Sequence, residues 1–252
     1  MARTKRGLTP RASCVPSRAF LCANTRVCAG AIICRCVVEL LDSHKVDTFV
    51  SVAGPLLGMY VRPLPPAAVA PPPASSLTVC SRWGHSRGIP KNWTVVPQGL
   101  HNISDDLLYL TLYQKSIQLS VSVGNYWTDS VHMGSYLINN LWLPKFNNEV
   151  VHPLAAEFKS NFLRLNKLVA LGGPDDGIIV PYQSEFFGYY APGSAIKFAP
   201  MAEQRVYKED LFGLRTLDQS GRLEMHNVTG VTHDDWIHDE NLFAKFILPH
   251  LT

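Results

Sequence analysis

The sequence of 252 residues lacks the uninterrupted apolar run of about 18 residues that a transmembrane helix needs. It also carries little charge, because only 17% of its residues are Asp, Glu, Lys or Arg and the formal net charge is +3. This balance argues against a strongly basic nucleic-acid-binding protein, and the 46% of hydrophobic residues argues against a disordered chain. The composition therefore predicts a globular α/β or all-β domain that neither spans a membrane nor binds nucleic acid.

Two further features are missing near the start of the chain. None of the six cysteines forms the C-x-x-C pair of a zinc or redox site, so cysteine usage does not fix the compartment. Arg18 and Arg26 interrupt the apolar core that a secretory signal peptide would need. Positive charge is concentrated there instead, in residues 1–40, where Glu39 is the single acid. Three N-x-S/T sequons are nevertheless compatible with a secretory route: Asn92, Asn102 and Asn227.

The first recognisable pattern is a helix followed by a strand. Residues 29–41 are apolar on most faces and end before Asp42, which predicts a buried helix. Residues 46–53 are β-branched or apolar at nearly every position and end at Gly54, which predicts a buried parallel strand. A helix that leads into a buried strand is half of a doubly wound α/β unit.

The middle of the chain interrupts this pattern. Residues 62–76 are rich in proline, which predicts an extended linker, and the sequence stays loop-like to about residue 104. Beyond it, residues 107–113 have β-forming character, and residues 154–168 repeat apolar positions at helical spacing. A polar turn at 218–221 predicts a hairpin between the flanking apolar segments.

Two loops carry side chains suited to catalysis. Residues 167–171 predict a short buried strand that runs directly into a tight turn holding Asp175 and Asp176, and His233 follows the last strand-like segment. In parallel α/β sheets, the loops at the carboxyl ends of strands hold the functional groups. An acid followed by a histidine is the second half of the order nucleophile, Asp, His. Asp176 would accept a hydrogen bond from one imidazole nitrogen, so that the other could take the proton of a nucleophile.

The same residues allow two plainer interpretations. The two aspartates could serve only as an Asx-type turn, with His233 capping the helix that begins at the Asp-Asp-Trp segment. The group His233, Asp234, Asp235 and His238 could bind a metal, but it lacks two histidines four residues apart on one helix face, so a solvated helix start is favoured.

The position of the nucleophile is less well marked. The pattern G-x-S-x-G occurs at residues 84–88, but Pro90 makes a following helix unfavourable, and the segment lies after the predicted strand instead of before its helix. We therefore interpret it as a chance match. The place expected for a nucleophile, just before the helix at 29–41, holds Cys28. A thiolate at a helix N-terminus could act there, although a buried structural cysteine fits equally well.

Several blocks of the sequence carry a resemblance to a known family. The most specific block is NFLRLNKLVALGGPDDGIIVPYQSEFFGYY, and DSHKVDTFVSVAGPLLGMY, GNYWTDS, LFGLRTL and VTGVTHDDW support it. Together these blocks resemble the palmitoyl-protein thioesterase family, and its type 2 branch more than the first paralogue. The resemblance implies an α/β-hydrolase fold and a Ser-Asp-His triad without a cofactor. It also implies hydrolysis of long-chain acyl thioesters (palmitoyl-protein or palmitoyl-CoA) in an acyl groove, and lysosomal residence. By position, the catalytic aspartate falls on Asp176 and the histidine on His233.

The departures from the family pattern define the expected domain organisation. Residues 1–28 are an unmatched basic N-terminus, and residues 29–252 form a partial α/β-hydrolase domain that lacks a recognisable N-terminal part of the parallel sheet. A proline-rich insertion occupies about 62–104, and Cys28 stands where the family has its serine. The alternative to an active hydrolase is a catalytically inactive remnant, or an incomplete gene model, that binds acyl ligands or a partner without turnover.

Overall fold

A four-stranded parallel sheet forms the centre of the fold. The computed structural model describes residues 19–22, 30–60 and 105–251. In spatial order, the strands of this sheet are β1 (Ala19–Cys22), β2 (Thr48–Val52), β3 (Lys167–Gly172) and β6 (Leu223–Asn227). In register, Val50 lies opposite Val169, and Leu168 lies opposite Leu223. The parallel sheet and its helices are those of an α/β fold, as the sequence predicted.

Helices surround this sheet, and a two-stranded antiparallel ribbon lies outside it, formed by β4 (Tyr189–Tyr190) and β5 (Phe198–Ala199). The α-helices before β3 are α1 (Gly30–Leu40), α2 (Asp105–Leu112), α3 (Lys115–Ser120), α4 (Ser122–Tyr126), α5 (Met133–Asn139), α6 (Leu143–Phe146) and α7 (Ala155–Phe162). Those after it are α8 (Arg205–Lys208), α9 (Leu214–Gln219), α10 (Asp235–His238) and α11 (Glu240–Leu242). Short 3₁₀ turns at Tyr182–Phe186, Met201–Glu203 and Leu248–His250 and a π-turn at Phe243–Ile247 complete the described helical segments. Each helix in the described ranges is too short or too polar to cross a membrane.

The two central strands are buried on both faces, which explains their nearly continuous apolar sequence. Phe49 and Leu168 contribute to one apolar cluster, with Phe162 of α7. Val50 and Val169 point to the opposite face and pack with Trp236 of α10. This alternation follows from the pleat of the strands, and it fixes the sheet between two helical layers.

Two predictions for local structure are wrong. Residues 107–113 contribute to a helix, α2, instead of a strand, because Leu108 and Leu112 are four residues apart and both are buried in one apolar cluster. Tertiary packing of a helical face has outweighed the β-forming residue types.

The predicted hairpin around 218–221 is also wrong. The segment before it is helix α9, which buries Leu214 and Leu217, and the segment after it is β6, which pairs parallel with β3. Gly221 adopts a φ of 71°, and Arg222 N donates to Leu217 O over 3.1 Å. This is how a helix ends at a left-handed glycine, so the polar residues form a helix terminus instead of a two-strand turn.

Two ionisable side chains, Arg35 and Glu39, form a buried pair within α1. The side chains of Arg35 and Glu39 are fully buried, with Arg35 Nε 3.2 Å from Glu39 Oε1. Arg35 also donates to Leu56 O over 2.9 Å and to Asn147 Oδ1 over 2.7 Å. The arginine thus joins the helix to the loop after β2 and to the segment after α6. Arg35 belongs by sequence to the basic N-terminal region, but it is an internal charge.

Burial raises the pKa of Glu39 to about 8, and this outweighs the opposing attraction of Arg35. A raised pKa means that the folded protein keeps a proton that the unfolded chain releases. The contribution to stability is therefore complete below the ordinary Glu pKa, and it is lost as the pH rises toward 8.

We expect Glu39→Gln to flatten the pH dependence of the unfolding free energy between pH 4.5 and 8. The difference in slope from wild type should reach about 1.4 kcal/mol per pH unit, because Gln cannot ionise. Urea unfolding at four pH values measures this difference, with Glu240→Gln, an exposed position, as the control that keeps the wild-type slope. Equal slopes for wild type and Glu39→Gln would contradict the expectation.

Candidate active site

Gly172 at the end of β3 and Gly173 at the start of the following loop are both required by close contacts. A side chain at Gly172 would overlap the carboxyl group of Glu185, and one at Gly173 would overlap the carbonyl oxygen of Val228. The absence of a Cβ atom at these positions lets the loop pack directly against two neighbouring segments. Asp176 is therefore held near the chain that leaves β6.

The Asp176 carboxylate is buried and fixed by backbone donors. Its Oδ1 accepts hydrogen bonds from Ile178 N over 3.0 Å and from Ile179 N over 2.8 Å. Gly177, which lies between Asp176 and these two donors, turns the chain with a φ of 73°. This is the Asx-type turn that the sequence allowed as an alternative, and it occupies one carboxylate oxygen.

The other carboxylate oxygen faces His233. Asp176 Oδ2 lies 2.7 Å from His233 Nδ1, and His233 N donates to Asp176 O over 3.0 Å. The side chain of Asp176 is 0% exposed, whereas that of His233 is 19% exposed and so reaches the surface. Because a carboxylate only accepts, it favours the tautomer with the proton on Nδ1, in which Nε2 is an acceptor. The turn and the Asp–His pair are therefore compatible uses of one side chain.

Asp175 has a separate task in the same turn. Its Oδ2 accepts a hydrogen bond from Gly230 N over 2.7 Å, and Gly230 lies in the loop that carries His233. Adjacent aspartates thus connect the two loops in different ways: Asp175 binds the backbone, and Asp176 binds the imidazole.

A third carboxyl group, Glu185, lies against the pair and was not found from the sequence. It is fully buried, and its Oε2 accepts from Gly173 N over 2.8 Å. Burial, followed by the nearby charge of Asp176, raises the pKa of Glu185 well above its ordinary value. The neutral form of Glu185 is therefore favoured. Glu185 lies in the aromatic segment 182–190, where no residue spacing in the sequence marks it as functional. Only the fold brings it to the site.

The alternative interpretations of the His233 segment receive no support from the geometry. The residue before α10 is Asp234, whose side chain makes no capping hydrogen bond. Thr232 Oγ1 donates to Asp235 Oδ2 over 2.6 Å, so this carboxylate is engaged in the turn. Within the described ranges, the four residues His233, Asp234, Asp235 and His238 do not form a cluster of three metal ligands.

The start of α1 lies at the same edge of the sheet as the Asp–His pair. A side chain on Gly54, just after β2, would overlap Ala31 in the first turn of α1. Ala53 N donates to Leu171 O over 2.8 Å, which aligns the end of β2 with the end of β3. Cys28, two residues before α1, and the G-x-S-x-G match at 84–88 lie outside the described residues.

A cavity of about 490 Å³ is lined by residues of α5, of the ribbon β4–β5 and of α8. Part of its lining is polar and consists of Tyr136, Asn147 and Glu149. Glu149 accepts hydrogen bonds from Tyr136 Oη over 2.7 Å and from Asn147 Nδ2 over 2.9 Å. Burial raises the pKa of Glu149. Asp176 and His233 do not line this cavity, whose apolar wall includes Leu57, Met133, Leu137, Tyr189, Tyr190 and Val206.

Comparison with known proteins gives matches over most of the chain. Residues 27–233 match the family model described as Palmitoyl protein thioesterase. The chain is 34% identical over 223 residues to lysosomal thioesterase PPT2-B of Xenopus laevis, an alignment that covers 88% of this chain and 66% of that protein. It is 32% identical over 223 residues to lysosomal thioesterase PPT2 of Homo sapiens, covering 88% and 63%. Palmitoyl-protein thioesterase 3 of Dictyostelium discoideum is 36% identical over 149 residues, covering 58% and 51%. The chain thus spans just under two thirds of the two lysosomal relatives.

Proposed function

The chain belongs to the palmitoyl protein thioesterase family, and from this premise we propose that it hydrolyses long-chain acyl thioesters of the palmitoyl-protein or palmitoyl-CoA type. The observation that carries the proposal is the 2.7 Å contact between His233 Nδ1 and the buried carboxylate of Asp176 at the carboxyl edge of the sheet. In an α/β-hydrolase, this is the position of the base and of the acid that orients it.

His233 acts as the general base in this proposal, and Asp176 acts as the group that orients it. Asp176 Oδ2 fixes the proton on Nδ1, so that Nε2 removes the proton of the nucleophile. The negative charge of Asp176 also stabilises the imidazolium that forms. Burial favours the neutral form of Glu185, so that Glu185 does not compete with Asp176 for the imidazolium. The arrangement needs no cofactor and no metal.

The candidate for the upstream nucleophile in the proposal is Cys28, which stands two residues before α1 in the sequence. A thiol near the N-terminus of an 11-residue helix has its thiolate favoured by the helix dipole. The thiolate sulfur attacks the carbonyl carbon of the substrate, and the bond from that carbon to the substrate sulfur breaks. His233 then gives the proton that it took from the nucleophile to the leaving thiolate. Water activated by His233 then attacks the acyl-cysteine, which releases the fatty acid and regenerates the thiol.

The test is thiol release from palmitoyl-CoA by the purified chain, followed by mass spectrometry after a short incubation. We expect a free thiol to be produced faster than in buffer, and a palmitoyl group on the peptide that contains Cys28. A palmitoyl group on a serine instead would keep the hydrolysis and overturn the role of Cys28. No thiol release above buffer would overturn the proposed activity and leave the alternative, a family member that binds acyl ligands without turnover.

The proposed location is the lysosome, because the relatives from Xenopus laevis and Homo sapiens are named lysosomal thioesterases. Asn227, at the end of β6, is exposed and so is accessible to glycosylation. The other two sequons, at Asn92 and Asn102, lie outside the described residues.

A further inference from the structure

A cluster of ligand-type side chains lies on β6, the edge strand of the described sheet, and the proposed hydrolysis does not use it. Glu224 and His226 are two residues apart on this strand, so their side chains share one face. His250 reaches the same face from the 3₁₀ turn Leu248–His250. His226 Nε2 lies 2.6 Å from Glu224 Oε1, and His250 Nε2 lies 3.8 Å from the same oxygen.

From this arrangement we propose that Glu224, His226 and His250 form a zinc-binding site. Two imidazole nitrogens and one carboxylate oxygen are a ligand set that Zn²⁺ binds readily, with water in the fourth position. The ligand atoms of the three residues all lie within 4.8 Å of one another. In the described part of the chain, this is the group of three that has such a spacing.

The observed distances fit a tetrahedral ion after small movements. Zinc bonds of about 2.0–2.1 Å place neighbouring ligand atoms about 3.3 Å apart in a tetrahedron. The separations of 2.6 Å and 3.8 Å bracket this value, so rotations of the side chains suffice. All three side chains are partly exposed, from 12% for His250 to 34% for Glu224, which leaves a path for the ion from solvent.

Neighbouring groups hold two of the ligands in place. Lys167 on β3 makes an ion pair with Glu224 Oε2, which leaves Oε1 directed toward both imidazoles. The ring of His226 lies 5.2 Å from that of Phe246, which restricts its rotation. Outer contacts of this kind orient metal ligands.

The consequence of binding would be a link between two distant segments of the chain. His250 belongs to the last turn of the described structure, whereas Glu224 and His226 lie on the sheet. An ion shared by these residues ties the C-terminal helical segment to β6, and because it binds the folded state it raises thermal stability.

The test is zinc binding to the full chain at pH 7.5, produced without a histidine tag and measured by isothermal titration calorimetry. We expect one saturable site, weakened at least tenfold in His226→Ala and in His250→Ala, and unchanged in His238→Ala. We also expect Zn²⁺ to raise the melting temperature of the wild type by a few degrees. Absence of saturable binding, or equal affinity in wild type and in both histidine variants, would overturn the site.

A second measurement avoids dependence on the folding of the variants. Cobalt(II) added to the wild-type chain should give the visible absorption of a tetrahedral complex, and zinc should displace it stoichiometrically. A cobalt spectrum that shows only octahedral, solvent-like coordination would overturn the site even if the histidine variants fail to fold. Palmitoyl-CoA hydrolysis is not a readout of either experiment, so the failure of this proposal and the failure of the proposed hydrolysis are separate results.

Discussion

Thiol release from palmitoyl-CoA by the His233→Ala variant is expected to fall by about 10²- to 10⁴-fold relative to the wild-type chain. The change removes the group that takes the proton from the nucleophile and returns it to the leaving thiol. It leaves Asp176 Oδ1 with its two backbone donors, Ile178 N and Ile179 N, so the loop should keep its conformation. The loss should therefore appear in kcat of a variant that still folds, with a lower unfolding midpoint because Asp176 Oδ2 loses its partner.

The matched control for this experiment is His238→Ala. His238 is an exposed histidine five residues further along the same segment, and it makes no contact with Asp176. It should retain wild-type turnover under the same assay. If His233→Ala and His238→Ala hydrolyse the thioester equally well, His233 is not the base, and the Asp–His pair is only a structural connection between two loops.

The pattern of residues was sufficient to predict the elements that form this site. Strand β2 is buried along its whole length and β3 at every residue except Lys167, so residue type alone marks them. Helix α1 is marked by its apolar residues too, although it buries one face and exposes Ile33, Val37 and Leu40. Asp176 and His233 follow strands of a parallel sheet, and topology then brings them to one edge. The positions of these elements and side chains could be predicted because each depended on a local pattern and one general rule, whereas the catalytic roles of Asp176 and His233 stay predictions.

Other features depend on contacts between distant segments and have no local signal. Helix α2 has the composition of a strand, and its helical state is stabilised by packing of Leu108 and Leu112 against the helices that follow it. Arg35 lies in the basic region of the sequence, yet its guanidinium donates hydrogen bonds to Leu56 O and to Asn147 Oδ1 inside the protein. Glu185 becomes part of the site only because two glycines let its carboxyl group approach the loop after β3.

The adjacent aspartates provide a sharper test of how Asp176 acts, because they can be changed one at a time without loss of volume. In Asp176→Asn, the amide oxygen should occupy the position of Oδ1, since only an oxygen can accept from both Ile178 N and Ile179 N. The amide nitrogen then faces His233 Nδ1 in place of Oδ2, 2.7 Å away in the wild type. A donor at this place forces Nδ1 to be the acceptor and moves the imidazole proton to Nε2.

An imidazole with its proton on Nε2 cannot accept the proton of the nucleophile, so Asp176→Asn should lower kcat by up to about 10⁴-fold. Asp175→Asn is the control, because Asp175 Oδ2 accepts from Gly230 N in the loop, and an amide oxygen can replace it. The tautomer is measured directly by the ¹⁵N chemical shifts of His233, which should exchange between Nδ1 and Nε2 in Asp176→Asn alone. A variant that keeps the wild-type tautomer but loses activity would show that the charge of Asp176, and not the orientation of His233, is what catalysis requires.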